Sequence, residues 1–260
     1  MKLFSHVPNF EKYTHKKTTT VMKRSFLPIC LLLLNFCYAQ EPVEYVNPFI
    51  GTSNYGATHP GAMAPRGMAS VSPINVAGKI KLNPLEKDSQ WLSNPYVHEN
   101  KFLTGFTHVN LSGVGCPDLG VIISMPTTGD LRTDHLEYGT TYSGETAKAG
   151  YYAVDLDKYS IKAEMTASTR VGVSRYSFPA GKANILLNLG LGLTNEKGGV
   201  LKIVSPTEIE GMRTVGSFCY NNSEAAYPVY FVARFSRAAE DFGAWQTPAT
   251  YQGVEAQWMG

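Results

Sequence analysis

From residue 151 onward hydrophobic residues recur at every second position, and few folds other than sheet can use that pattern. In "YSIKAEMTA", Ile161, Ala163, Met165 and Ala167 share one face, and Lys162, Glu164 and Thr166 share the other. "NILLNLG" sets Ile185, Leu187 and Leu189 in alternation, and "VYFVARFS" does the same with Val229, Phe231, Ala233 and Phe235. Further strands are expected at "YYAVDLD", "RVGVSRYSF", "VLKIV" and "TEIEGM", separated by breakers such as "FPAGKAN" and "LGLTNEKGG". Many short strands at close spacing, with scarcely any helical period, predict a mostly β chain, a large antiparallel β-sandwich. Residues 45–135 differ, being rich in Gly, Pro, Asn and His and poor in alternation. Loops that long in a compact domain are functional or belong to an interface.

The ends of the chain bound the domain. "MKRSFLPICLLLLNFCYA", 22–39, has a basic start, a short apolar core and a small residue at its end. That is the pattern of a cleaved secretory signal, too short to span a bilayer comfortably. Met22 then reads as the start, residues 1–21 as a disordered upstream over-extension, and 40–260 as the exported domain. A lipoprotein anchor at Cys37 is disfavoured by bulky Phe36, where a small residue is wanted. After residue 40 no apolar run is long enough to cross a membrane. The formal net charge of +2, with no basic stripe after the signal, argues against nucleic acid as a partner. Beyond the signal only Cys116 and Cys219 remain, either as a disulfide or as two buried thiols. With no CxxC or HExxH element, a zinc site has no support. "YQGVEAQWMG" alternates like a strand cut mid-pattern, which suggests a fragment of something longer.

Chemistry concentrates in four stretches. "VNPFIGT" and "HPGAMAPRGMASVSP" combine prolines that fix φ with glycines that permit close approach, so polar groups on them are held in place. They either line a ligand pocket with Phe49, His59 and Arg66, or form a rigid connection with His59 as a structural donor. In "KDSQWLSNPY", Trp91 is a platform for the apolar face of a sugar ring or a core anchor. "FTHVNLSGVGCPDLG", 106–120, gathers Thr107, His108, Asn110, Ser112, Cys116 and Asp118 on a glycine-rich backbone. His108 and Asn110 alternate, so both should face one side. Asp118 could accept from sugar hydroxyls, an arginine or amides of its own turn, and His108 could be a satisfied core histidine. Glu208 and Glu210 share a strand face and could suggest paired glycosidic carboxylates, but they lie on the polar side of their segment. No nucleophile–base pair stands out.

These motifs, in this order, resemble the amino-terminal domain of glycoside hydrolase family 92. The likeness runs through "VNPFIGT", "HPGAMAPRGMASVSP", "TGFTHVNLSGVGCPDLGVIISMPTTG", "AGYYAVDL", "STRVGVSRYSFP", "ANILLNLG", "TEIEGM" and "VYFVARFS", covering roughly 43–245, and departs from the family pattern at "DSQWLSNPYVH". It implies a supersandwich like that of galactose mutarotase, packed in the whole enzyme on a catalytic (α/α)6 barrel that this chain lacks. It also implies an exported, calcium-dependent exo-α-mannosidase that inverts configuration and acts on α-mannose-containing glycans of the glycoprotein type. The catalytic carboxylates and most calcium ligands would lie in the barrel, so none is assigned here. The expected contribution of this chain is a set of substrate-binding loops carrying Phe49, His59, Arg66, Trp91, His108, Asn110, Ser112, Cys116 and Asp118. Two alternatives are a stand-alone carbohydrate-binding sandwich and a scaffold that only docks the barrel.

Overall fold

Alternation becomes sheet where it was expected. A computed structural model describes residues 41–53, 56–76, 94–115, 118–193, 198–216, 225–246, 249–251 and 255–258. The proposed signal, Trp91, Cys116 and Cys219 lie outside the described residues. Pro42–Gly260 forms one unit.

Two five-stranded antiparallel sheets face each other. One runs β1 (Ala62–Met63), β2 (Ser70–Ile74), β4 (Gly105–Thr107), β5 (Ile123–Thr128) and β10 (Ala183–Asn188). The other runs β3 (Phe102–Leu103), β6 (Thr140–Lys148), β7 (Tyr151–Leu156), β8 (Ile161–Ala167) and β9 (Gly172–Ser177). Val71, Phe106, Met125 and Leu186 from the first pack with Leu103, Tyr152, Val154, Ile161, Ala163 and Met165 from the second. Each fully buried Leu, Ile or Met side chain in this layer contributes about 2 kcal/mol. β8 follows the expected alternation: Ile161, Ala163 and Met165 are buried, whereas Lys162 is exposed.

A third sheet orders β13 (Ala226–Arg234), β12 (Glu208–Gly216), β11 (Gly199–Ser205) and β16 (Glu255–Trp258). Its Val215, Val229 and Phe231 close a smaller core with Val109, Leu119, Val121, Ile122 and Leu189. β14 (Ala244–Gln246) and β15 (Ala249–Tyr251) make a separate hairpin. The described helices are single turns, Pro42–Tyr45, His135–Tyr138 and Asp157–Tyr159.

Two expectations need correcting. Residues 45–135 hold β1 to β5 and are not all loop. β2 and most of β5 are buried at successive positions, so they carry no period of two. In "NILLNLG" the deeply buried residue is Leu186, at 2% exposure, rather than Ile185 or Leu187. A strand covered on both faces cannot be phased from its apolar residues.

One irregularity matters for the site. The pairing of β6 with β7 shifts between Ser143 and Thr146. Gly144 adopts φ +60 there, and the extra residue lets Glu145 turn toward Tyr96 and Tyr152.

Candidate functional site: two loops tied at one rim

The 46–61 loop is held by its own hydrogen bonds. The Phe49 N–H donates to Asn47 Oδ1 at 3.0 Å, and Thr52 Oγ1 donates to the Phe49 carbonyl at 2.8 Å. Thr58 Oγ1 donates to the Ile50 carbonyl at 2.8 Å. Gly51, at φ +81, and Gly56 permit the tight reversal; a Cβ on Gly56 would lie 1.9 Å from the Gly51 carbonyl oxygen. His59 is 8% exposed, and its Nδ1 accepts from the Gly61 N–H at 3.2 Å. Burial holds its pKa down at about 4, so the ring is neutral with its proton on Nε2. His59 is therefore an acceptor at Nδ1 rather than the structural donor of the alternative reading.

Residues 94–100 brace that loop. Asn94 Nδ2 donates to the Thr58 carbonyl at 3.0 Å, and the His98 N–H donates to the Thr52 carbonyl at 2.9 Å. The Phe49 ring meets the His98 ring edge-on, with centroids 5.5 Å apart. Asn75, at the end of β2, donates to the Val97 and Asn100 carbonyls and accepts from the Val97 N–H. Neither Asn75 nor His98 was among the expected residues. They lie in stretches without a recognisable motif, and only their contacts reveal them.

The 106–120 segment divides in two. At its base, Thr107 Oγ1 donates to Asn110 Oδ1 at 2.6 Å, while Asn110 Nδ2 donates to the Ser70 carbonyl and hydroxyl at 3.0 Å. His108 Nδ1 lies 2.7 Å from the Ile122 carbonyl. A carbonyl can only accept, so the Nδ1 proton of His108 is donated there. Burial lowers the His108 pKa, with this hydrogen bond acting the other way. It anchors a residue in the left-handed region, since Ile122 has φ 57, unusual for a β-branched side chain. Both side chains thus spend hydrogen-bonding capacity on the scaffold, as expected if His108 is a satisfied core histidine.

Beyond Asn110 the segment opens. Ser112 is exposed, Val114 is 82% exposed, and a Cβ on Gly113 or Gly115 would meet nothing within 4 Å. The Gly113 N–H still donates to the Ala57 carbonyl at 2.6 Å, which joins this tip to the 46–61 loop. Asp118 lies near the third sheet, where its charge helps raise the Tyr227 pKa after burial.

The expected residues are therefore not one constellation. Phe49, His59 and the Ser112 tip belong to the joined loops, and His108 and Asn110 form the base of one of them. Arg66 sits at φ 58 in the turn of the β1–β2 hairpin, across β1 from His59. Glu208 pairs with Arg234 at 2.8 Å and Glu210 with Lys202 at 3.3 Å, cross-strand partners on the third sheet. They form surface ion pairs, in agreement with their expected polar face. Among the described residues no group of three or more His, Cys, Asp or Glu could hold a metal ion.

The fold and its joined loops define a multi-sheet antiparallel sandwich domain that gathers hydrogen-bonded polar loops on one rim. Residues 45–258 match the family model described as Glycosyl hydrolase family 92 N-terminal domain, and the chain belongs to that family. A family GH92 alpha-mannosidase from Bacteroides thetaiotaomicron, BT3965, solved with mannoimidazole, superposes with a TM-score of 0.68 at 29% identity, over 83% of this chain and 29% of its own. The GH92 family glycosyl hydrolase ccman5 superposes with a TM-score of 0.69 at 27% identity, over 84% of this chain and 29% of its own. A protein of Arthroderma benhamiae named "Uncharacterized secreted glycosidase" is 28% identical over 155 residues, 56% of this chain and 18% of that protein. The chain thus spans less than a third of each of these relatives.

Proposed function

We propose that this chain is the amino-terminal sandwich of an exported glycoside hydrolase that removes terminal α-linked mannose from glycoprotein-type glycans with inversion. Its part is to supply sugar-facing loops and to dock a catalytic (α/α)6 barrel. The observation that carries this is the bond from the Gly113 N–H to the Ala57 carbonyl, which joins the family's two motif loops into one rim. Family membership and a mannosidase among the structural neighbours support the substrate class. The relative named as secreted supports export, and no helix among the described residues is long and apolar enough to cross a membrane.

Rigidity is what these loops offer chemically. Misplacing a reacting group by an ångström costs on the order of a hundredfold in rate, so loops that bind one pyranose ring are best tied down before it arrives. Phe49 would supply an apolar wall, and Ser112 and the tip amides would supply hydroxyl partners. Calcium belongs to the same proposal, and among the described residues no cluster of three or more His, Cys, Asp or Glu could hold it. Its ligands, like the acid and base, would come from the barrel.

The test is turnover of an aryl α-mannoside by this chain alone and by the chain supplied with a family barrel. Activity only in the second case is expected, and turnover by the chain alone would overturn the division of labour. Saturable heat with mannobiose but no gain from the barrel would favour a stand-alone binding module.

A further inference from the structure

Behind the rim lies a buried polar relay that the loop motifs do not account for. Tyr96 is fully buried, and its hydroxyl lies 2.9 and 3.0 Å from the two carboxylate oxygens of Glu145 and 3.1 Å from His98 Nδ1. Tyr152, also fully buried, donates to Glu145 Oε1 at 2.8 Å. Tyr142, beside them, donates instead to the Asn100 carbonyl at 2.6 Å. The Gly144–Glu145 bulge brings the carboxylate to this place.

Counting protons sets the tautomer of His98. A phenol carries one hydrogen, and a carboxylate at 2.9 Å from its oxygen requires that hydrogen between them. Burial and the Glu145 charge both push the Tyr96 pKa up, so the phenol keeps its proton and gives it to the carboxylate. The Tyr96 oxygen is then left with lone pairs only, and the contact to His98 must be donation from Nδ1–H. In the neutral ring Nε2 is consequently an acceptor. Among the described residues the ring's one hydrogen bond is the one through Nδ1. The Phe49 ring stands against the same imidazole at 5.5 Å.

We propose that His98 is a positioning and recognition residue of the rim, its Nε2 held as the acceptor for a carbohydrate hydroxyl by the Glu145–Tyr96 relay. This rests on the sugar-binding function proposed above. It adds a donor requirement: the ligand must present a hydroxyl beside the apolar patch made by Phe49, a pairing of contacts that a pyranose ring can satisfy. The relay acts through His98, so Tyr96 and Glu145 need not touch the ligand.

Nitrogen-15 spectra of the imidazoles in the full chain test the two halves separately, with the His98 signals identified by their loss in His98→Gln. At neutral pH His98 is expected as the Nδ1–H tautomer, and an Nε2–H ring in the unmodified chain would overturn the proposal. On adding methyl α-mannopyranoside at high millimolar concentration, the His98 Nε2 signal should move toward the protonated range as it accepts a hydrogen bond. If other rim signals move while Nε2 stays, the proposal fails and the sugar-binding function survives. If nothing moves, the proposal fails, while the sugar-binding function is decided separately by barrel-dependent turnover. Tyr96→Phe should release the tautomer and weaken the mannoside by roughly three- to tenfold, the range of one lost hydrogen bond. Tyr152→Phe, which takes the other phenol from Glu145, should leave the tautomer unchanged; release there as well would mean that general loosening, not the relay, governs the ring.

Discussion

Residues 104–110 and 111–115 are consecutive in one glycine-rich stretch, yet they solve opposite problems. In the first, Thr104, Thr107, His108 and Asn110 all spend their side chains on neighbouring backbone or on one another. In the second, a Cβ on Gly113 or Gly115 would meet nothing within 4 Å, and the Gly113 N–H bonds to the 46–61 loop. The same residue type serves both. Gly105 lets two strands touch, whereas Gly113 lets a chain turn in the open. A rim needs each: a base that does not move, and a tip with amides and hydroxyls left for a ligand or a partner domain.

The largest way to break this contrast is Gly105→Ala. A Cβ there would lie 2.4 Å from Ile123 Cγ2 and 2.9 Å from the Ser124 carbonyl oxygen, at a φ of +145. Overpacking between strands and a φ that L-residues avoid combine to cost about 3 kcal/mol or more. Urea denaturation should show the midpoint falling with little change in slope; a loss below about 1 kcal/mol would mean the base yields easily.

Acid acts on both sides of the rim, at His59 in the 46–61 loop and at His108 in the base. His59 has its pKa lowered from 6.5 to about 4 by burial, so below pH 6.5 the unfolded chain takes up a proton that the folded chain refuses. Stability is complete above about pH 6.5 and is lost as pH falls toward 4, by roughly 3 kcal/mol for this site alone. His108, whose pKa burial also lowers, adds in the same direction. His59→Gln should flatten much of that slope in thermal scans between these pH values. An unchanged slope would place the acid sensitivity elsewhere.

The sandwich was legible because most of its later strands cover one face and leave the other wet, as Ile161, Ala163 and Met165 do against Lys162. β2 and β5 leave no period of two in the sequence, because burial on both sides erases the alternation. At the rim, the glycine and proline spacing marked which loops matter, but composition does not record where a side chain points. His108 and Asn110 have the chemistry of ligand contacts and are used for scaffolding. His98 and Glu145 carry no local signal, since their roles arise from a bulge and from long-range pairings: Tyr96 with Glu145, and Phe49 with His98, are each separated by 49 residues.

Asn110→Ala sharpens the comparison by loosening the base without adding bulk. It takes the amide donor from the Ser70 carbonyl and hydroxyl and leaves the Thr107 hydroxyl only the Ser72 carbonyl at 3.2 Å, at about 2 kcal/mol. Faster amide exchange should appear first at Ser70 and His108, which share a backbone hydrogen bond at 3.2 Å, and then at Gly113. Exchange that quickened only at the tip would show that Asn110 serves the tip and not the base.

The smallest effects belong to the tip, and their sign is informative. Gly113 has φ +101, so Gly113→Ala meets no clash but is strained by its backbone, costing about 1 kcal/mol. Gly115 has open space and no φ in the left-handed region, so Gly115→Ala removes freedom from the unfolded chain and should stabilise by about 0.5 kcal/mol. Calorimetric melting of the two variants should therefore move in opposite directions. If Gly115→Ala also lowers the melting temperature, the tip is packed and the contrast with the base collapses. If it raises the temperature while barrel-dependent turnover falls, the tip's freedom is used in docking or binding, and glycine stands at 115 for function rather than for folding.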